Sequence, residues 1–147
     1  MNLNIPESTK PRVVIIGAGF AGFKLAGKLK KGPFQLILLD KNNYHQFQPL
    51  FYQVAMSGLE PSSICFPLRK NFQNQTDVIV RVAEVLSIEP NEKRITTNKG
   101  VLSYDILVIA AGARTNYYGN SNFIENTIPL KSVSEALHLR NRILEDL

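Results

Sequence analysis

Three stretches of this chain are apolar with almost no polar interruption. Arg12-Val13-Val14-Ile15-Ile16, Gln35-Leu36-Ile37-Leu38-Leu39-Asp40 and Asp105-Ile106-Leu107-Val108-Ile109-Ala110 are each short and rich in branched residues. That is the pattern of parallel strands covered on both faces, since a half-covered strand would alternate. Between the first two, the period changes to that of a helix. Phe20 to about Lys31 places Ala21, Leu25, Ala26 and Leu29 on one face, and Gly32-Pro33 stops it. The order strand–helix–strand predicts a βαβ unit.

The remaining chain is less regular. Met1 to Pro11 reads as a loose leader, and Asn42 to Phe51 as a loop. Pro49 to Ala55 predicts a short helix with proline in its first turn, ended near Gly58. A second helix is expected from Pro61 to about Phe72. Asp77 to Glu89 then carries strand character through Val78, Val80, Val82 and Leu86, with Ile79 and Val85 breaking strict alternation. Pro90-Asn91-Glu92 is a turn, Lys93 to Thr97 a strand, Asn98-Lys99-Gly100 a hairpin turn, and Val101 to Tyr104 a further strand. Together these predict a β-meander ahead of the third apolar strand. Asn116 to Asn120 begins a polar loop. Ser132 and Glu135 have capping-box spacing and open a final helix carrying Ala136, Leu137, Arg140 and Leu144. That helix runs to the end of the chain, from which more protein is expected to follow.

Candidate chemistry sits where the first strand meets the first helix. Gly17, Gly19 and Gly22 fit G-x-G-x-x-G, and the strand before and helix after supply the context this spacing needs. The first glycine permits a tight turn, the second lets a pyrophosphate approach the backbone, and the third lets helix and strand pack closely. The helix N-terminus offers N–H groups and a positive dipole end to phosphates. Asp40 ends the second strand, where a carboxylate can accept hydrogen bonds from both ribose hydroxyls of an adenosine. Ala111 and Gly112, at the end of the third strand, again let backbone approach a ligand. These features predict a dinucleotide site on a Rossmann-like α/β fold.

Composition narrows the class. The 147 residues suffice for one domain, and 44% apolar with 20% charged residues describes a globular chain. No apolar run approaches the roughly 20 residues of a bilayer span, and the polar, proline-containing start does not read as a signal peptide. A cytoplasmic location is therefore expected. The net charge of +5 is scattered except for Lys28-Leu29-Lys30-Lys31, which suits a helix C-terminus, so no nucleic-acid partner is expected. The single cysteine, Cys65, leaves no disulfide or metal pair, and its expected role is a small buried apolar residue. His45 and His138 have no partner at metal spacing and are expected to be solvated or hydrogen-bonded. No catalytic residue and no metal site are assigned; a cofactor would carry any chemistry.

Val13 to Gly22 together with Asp40-Lys41-Asn42-Asn43-Tyr44-His45-Gln46-Phe47-Gln48-Pro49-Leu50-Phe51-Tyr52-Gln53-Val54-Ala55 resembles the amino-terminal part of type II NADH dehydrogenases. These single-subunit flavoproteins pass electrons from NADH through FAD to a membrane quinone. Ser103 to Gly112 is similar to a second FAD fingerprint, with Ser103 and Ala111 where threonine is usual. The resemblance spans about Pro11 to Leu147. It implies that residues 12–147 are part of an FAD-binding domain with an inserted antiparallel β-meander, ending before the NADH-binding domain. It further implies that Gly17, Gly19, Phe20, Ala21 and Gly22 hold the FAD pyrophosphate. Asp40 would bind the adenosine ribose, beside Lys41. Gln48, Pro49 and Leu50 would lie toward the flavin, Val82 and Ala83 at the adenine edge, and Ala111 and Gly112 close on the cofactor.

The resemblance also implies that NADH and quinone are partners only of a longer protein, peripheral to the inner face of the cell membrane. The fragment by itself would be inactive, with an exposed face through which it self-associates. Two alternatives stay open: a related FAD-dependent disulfide or sulfide oxidoreductase, disfavoured by the lone Cys65, and a non-catalytic nucleotide-binding module. A plain NAD dehydrogenase would carry a helix crossover where this chain has its meander.

Overall fold

The computed structural model describes residues 3–147, which divide into two compact units: 3–45 with Pro67–Gly112, and Gln46–Phe66 with Ala113–Leu147. The first is built on a 4-stranded sheet. Strands β1 (Arg12–Ile16) and β2 (Gln35–Asp40) flank helix α1 (Phe20–Leu29) in sequence. Strands β3 (Tyr44–Gln46) and β4 (Cys65–Pro67) pair where the chain leaves and re-enters this unit. Helix α2 (Phe51–Ala55) lies between them, and α3 (Leu68–Phe72) follows. Strands β5 (Val78–Val82), β6 (Val85–Glu89), β7 (Arg94–Thr97), β8 (Gly100–Ser103) and β9 (Ile106–Ile109) complete the first unit. Helices α4 (Ser121–Asn126) and α5 (Val133–Glu145) belong to the second.

The large sheet has the order β5-β2-β1-β9, and every pairing is parallel. Successive side chains of its strands point to opposite faces, so each strand feeds two cores. Val13, Ile15, Leu36, Leu38, Val78 and Val80 meet Ala26 of α1 and Leu68 and Phe72 of α3. Val14, Ile37 and Leu39 meet Ile95 and Leu102 of the antiparallel sheet β6-β7-β8. The fold is the expected α/β arrangement, a parallel sheet with helices on one face and the inserted meander on the other. In the second unit, Phe51, Val54 and Ala55 of α2 pack with Ile64 and with Val133 and Ala136 of α5.

Several expectations are corrected. The helix expected over 61–72 is a 3-10 turn at Pro61–Ser63, the strand β4, and only then α3. Pro67 is the reason: it disfavours helical backbone at Phe66, lacks an N–H, and serves as the extended N-cap of α3. The loop expected at 42–51 contains β3 and a 3-10 turn at Gln48–Leu50. The polar loop after Asn120 contains α4, capped by the Asn120 side chain accepting from Asn122 N–H. Ala21 is exposed, because α1 faces the sheet through Gly22 and Ala26, with Phe23, Leu25 and Leu29 packed beside them. Helix α1 also ends at Leu29, short of Lys31.

The leader has no helix or strand among its described residues but is tied down rather than loose. Leu3 is buried, the Arg81 guanidinium donates to the carbonyls of Leu3 and Asn4, and the Gln35 amide donates to Pro6. Burial, and then the charge of Arg69, draws the Arg81 pKa below its ordinary value. Strand β9 is parallel to β1 as expected but not buried: Ile106 is 50% and Ile109 65% exposed. It pairs on one side only among the described residues. At α5 the Ser132 hydroxyl accepts from Glu135 N–H, while the Glu135 carboxylate accepts from Lys131 N–H rather than Ser132. The box is thus displaced by one residue at its return bond.

Candidate functional site

The carboxyl ends of the four parallel strands lie along one edge of the sheet. In sheet order this edge carries Val82 and Ala83 after β5, Asp40 ending β2, Gly17 to Gly22 after β1, and Ala110 to Gly112 after β9. Backbone hydrogen bonds hold these ends together: Gly17 N–H to Leu39 at 2.7 Å, Ala110 N–H to Ile16 at 2.7 Å, and Ala83 N–H to Asp40 at 2.9 Å. Sites far apart in sequence converge because parallel strands deliver every carboxyl end to the same side.

The three glycines do different things. Gly17 has φ +96°, and a Cβ there would lie 2.4 Å from the Ala110 carbonyl oxygen. A Cβ on Gly22 would lie 1.8 Å from the Gly17 carbonyl oxygen, so only hydrogen lets α1 start this close to β1. At Gly19 an added Cβ would meet nothing within 4 Å, and φ is an ordinary −68°. The first and third glycines are therefore required by the fold. The second borders open space at the start of α1, where no side chain caps the helix and the first turn holds no acidic residue. A cradle of backbone at an uncapped helix N-terminus suits an anion such as a pyrophosphate.

Asp40 lies beside this turn. Its Oδ2 accepts from Ala18 N–H at 2.6 Å and its Oδ1 from Asn42 N–H at 2.8 Å. An ionised carboxylate has about four acceptor sites, so both oxygens keep capacity for hydroxyl donors. Lys41, Val82, Ala83, Glu84, Asn98 and Lys99 line an adjoining cleft of about 160 Å³. The hairpin turn closes it, with Glu84 N–H donating to Asn98 Oδ1 and Asn98 N–H to the Glu84 carbonyl. Lys41 reaches Glu84 at 3.9 Å across exposed surface, a contact of little energetic weight. Gly112 has φ +73° and open space where a Cβ would stand.

Of the residues singled out in the sequence, Gly17, Gly19, Phe20, Ala21, Gly22, Asp40, Lys41, Val82, Ala83, Ala111 and Gly112 belong to the first unit and this edge. Gln48, Pro49 and Leu50 form the 3-10 turn of the second unit. Glu84, Asn98 and Lys99 had no signal of their own beyond a turn pattern. His45 is buried, with its Nδ1 2.9 Å from the Ala18 carbonyl oxygen, whereas His138 is exposed. Cys65 is only half-buried, and burial pushes its thiol pKa up.

Residues 11–145 match the family model for pyridine nucleotide-disulphide oxidoreductases. The chain belongs to this family. Within it, the chain is 39% identical over 137 residues to the type II NADH:quinone oxidoreductase NdhA of Mycobacterium tuberculosis, covering 90% of this chain and 29% of that protein. It is 28% identical over 154 residues to an external alternative NAD(P)H-ubiquinone oxidoreductase B1, mitochondrial, of Solanum tuberosum, covering 97% and 27%. Among solved structures of such oxidoreductases, the sulfide:quinone oxidoreductase of Aquifex aeolicus matches with a TM-score of 0.84 at 27% identity, over 92% of this chain and 32% of that one. NDH2 of Plasmodium falciparum in complex with NADH shares the fold, with a TM-score of 0.87 at 24% identity over 92% and 29%. The chain spans less than a third of the length of each of these proteins. No helix among the described residues is long and apolar enough to cross a membrane.

Proposed function

We propose that this chain is the FAD-binding portion of a type II NADH:quinone oxidoreductase. The observation that carries this reading is the open backbone cradle at Gly19, set between two glycines that the fold itself demands. Gly17, Gly19, Phe20, Ala21 and Gly22 bind the FAD pyrophosphate at the start of α1. Asp40, beside Lys41, accepts the adenosine ribose hydroxyls. Val82 and Ala83 border the adenine, and Ala111 and Gly112 approach the cofactor from β9. Gln48, Pro49 and Leu50 are assigned to the flavin end. In the complete protein, FAD held by these residues would supply the redox chemistry between NADH and quinone. This chain's own residues bind and orient the cofactor, and the chain alone is inactive toward NADH. The complete protein sits on the inner face of the cell membrane as a peripheral protein. Similarity to the sulfide:quinone oxidoreductase supports a second reading, a flavoprotein with another donor; Cys65, without a second cysteine in the chain, weighs against it.

The test is the absorbance spectrum of the chain after incubation with FAD and removal of free cofactor. Flavin bands are expected to remain, and to vanish in Gly19→Trp while the circular dichroism is unchanged, since that side chain enters open space. Retention of NAD in place of FAD would overturn the assignment. NADH:quinone activity of the complete protein then separates the two donor readings.

A further inference from the structure

The dinucleotide reading assigns no role to His45, yet the structure binds it to the glycine turn. Its Nδ1 lies 2.9 Å from the Ala18 carbonyl oxygen, in buried surroundings. A carbonyl oxygen only accepts, so Nδ1 carries the hydrogen. The ring is held by the first turn of α1: it stacks on Phe23 (centroids 4.7 Å apart, planes at 20°) and meets Phe20 edge-on at 5.4 Å. Ala18 N–H is separately held by Asp40 Oδ2 at 2.6 Å. Both polar groups of Ala18 are thus fixed by side chains from outside the turn. None of the peptide bonds among the described residues is cis, so the Ala18 carbonyl and the Gly19 N–H on the same peptide point in opposite directions. Fixing the carbonyl toward His45 turns the Gly19 N–H away from it, at the N-cap of α1.

We infer that His45 is a positioning residue: it sets the Ala18–Gly19 peptide so that the Gly19 amide is presented to the anionic group of the dinucleotide. The inference rests on the cofactor reading for the ligand's identity. Its structural half, that His45 orders the turn, stands without it. The hydrogen bond, and not ring packing alone, performs this task, because the glycine-rich turn has no side chain of its own with which to fix a peptide plane.

Two substitutions separate the bond from the packing. His45→Phe keeps an aromatic ring against Phe20 and Phe23 but loses the donor. His45→Asn places an amide nitrogen near the position of Nδ1. The Ala18 carbonyl carbon chemical shift in the free chain is expected to move upfield in His45→Phe, as the carbonyl loses its donor, and to return toward the parent value in His45→Asn. FAD affinity, read from flavin fluorescence on titration, is expected to weaken at least tenfold in His45→Phe and to recover most of that loss in His45→Asn. An unchanged Ala18 carbonyl shift in a folded His45→Phe overturns the inference. So does a moved carbonyl shift with unchanged FAD affinity, or an equal loss in both variants, which would mark a packing role. If the parent chain binds no FAD, the cofactor reading falls, and the carbonyl shift still decides whether His45 holds the turn.

Discussion

Strands β1 and β9 are neighbours in one sheet and nearly identical in character. Val13-Val14-Ile15-Ile16 and Ile106-Leu107-Val108-Ile109 pair residue for residue. Yet Val13, Val14 and Ile15 are at most 2% exposed, while Ile106 and Ile109 are at least half exposed. Strand β1 has β2 on one side and β9 on the other, with α1 and the meander above and below. Strand β9 has one neighbouring strand among the described residues. An apolar run therefore records that a strand is suited to being covered; its neighbours decide whether it is. The turns that follow differ in the same way. Gly17 and Gly22 are hemmed in by backbone at 2.4 and 1.8 Å, whereas nothing lies within 4 Å of a Cβ on Gly112.

The glycines give the sharpest way to break the comparison. Gly22→Val forces a side chain into the Gly17 carbonyl, where backbone cannot yield cheaply, and is expected to cost at least about 3 kcal/mol or prevent folding. Gly112→Ala meets only its left-handed backbone and is expected to cost about 1 kcal/mol. Urea unfolding of the two variants measures both, and similar losses would refute the contrast. The strands come next. Ile15→Ala removes a side chain with 0% exposure and is expected to destabilise by roughly 2–5 kcal/mol. Ile109→Ala, 65% exposed, should cost less than about 1 kcal/mol. The exposed edge has its own consequence. We expect the chain to self-associate through β9, since an apolar edge with no further strand among the described residues is a template for another strand. Light scattering should show association reduced in Ile109→Lys; a parent chain that is monomeric at high concentration would contradict this.

The smallest effect concerns Cys65. Its thiol pKa is raised by burial, so the folded state favours the protonated form. The associated stability is present below the unfolded thiol's pKa and is lost as pH rises through the folded value. Near pH 8.5, about the ordinary thiol pKa, iodoacetamide should alkylate Cys65 more slowly in the folded chain than in the urea-denatured one. Equal rates would show the thiol to be unshifted.

Much of the fold was legible because its signals are local. Strands β1 and β2 needed only their apolar runs, α1 its period, and the glycine turn its spacing between them. The capping serine of α5 was likewise readable, since Ser132 contacts a residue three positions on. The segment 61–72 departs from a single helix for a local reason: Pro67 breaks the apolar stretch, ending β4 and placing α3 after it. Asn120 capping α4 is a signal of the same short range that was also present.

The site divides along the same line. The chain itself dictated that a tight turn follows β1 and that an acid ends β2, because both follow from residue type at fixed spacing. The distinction between structural glycines and an open one depended on where Ala110 and the Gly17 carbonyl came to rest. Asp40 reaching Ala18, His45 reaching the other side of the same residue, and Asn98 closing a cleft beside Val82 were all decided by tertiary structure. Exposure of β9 was decided there too. Periodicity reports which face of one element is apolar; which distant element arrives at that face, and at what distance, is set only when the sheet assembles.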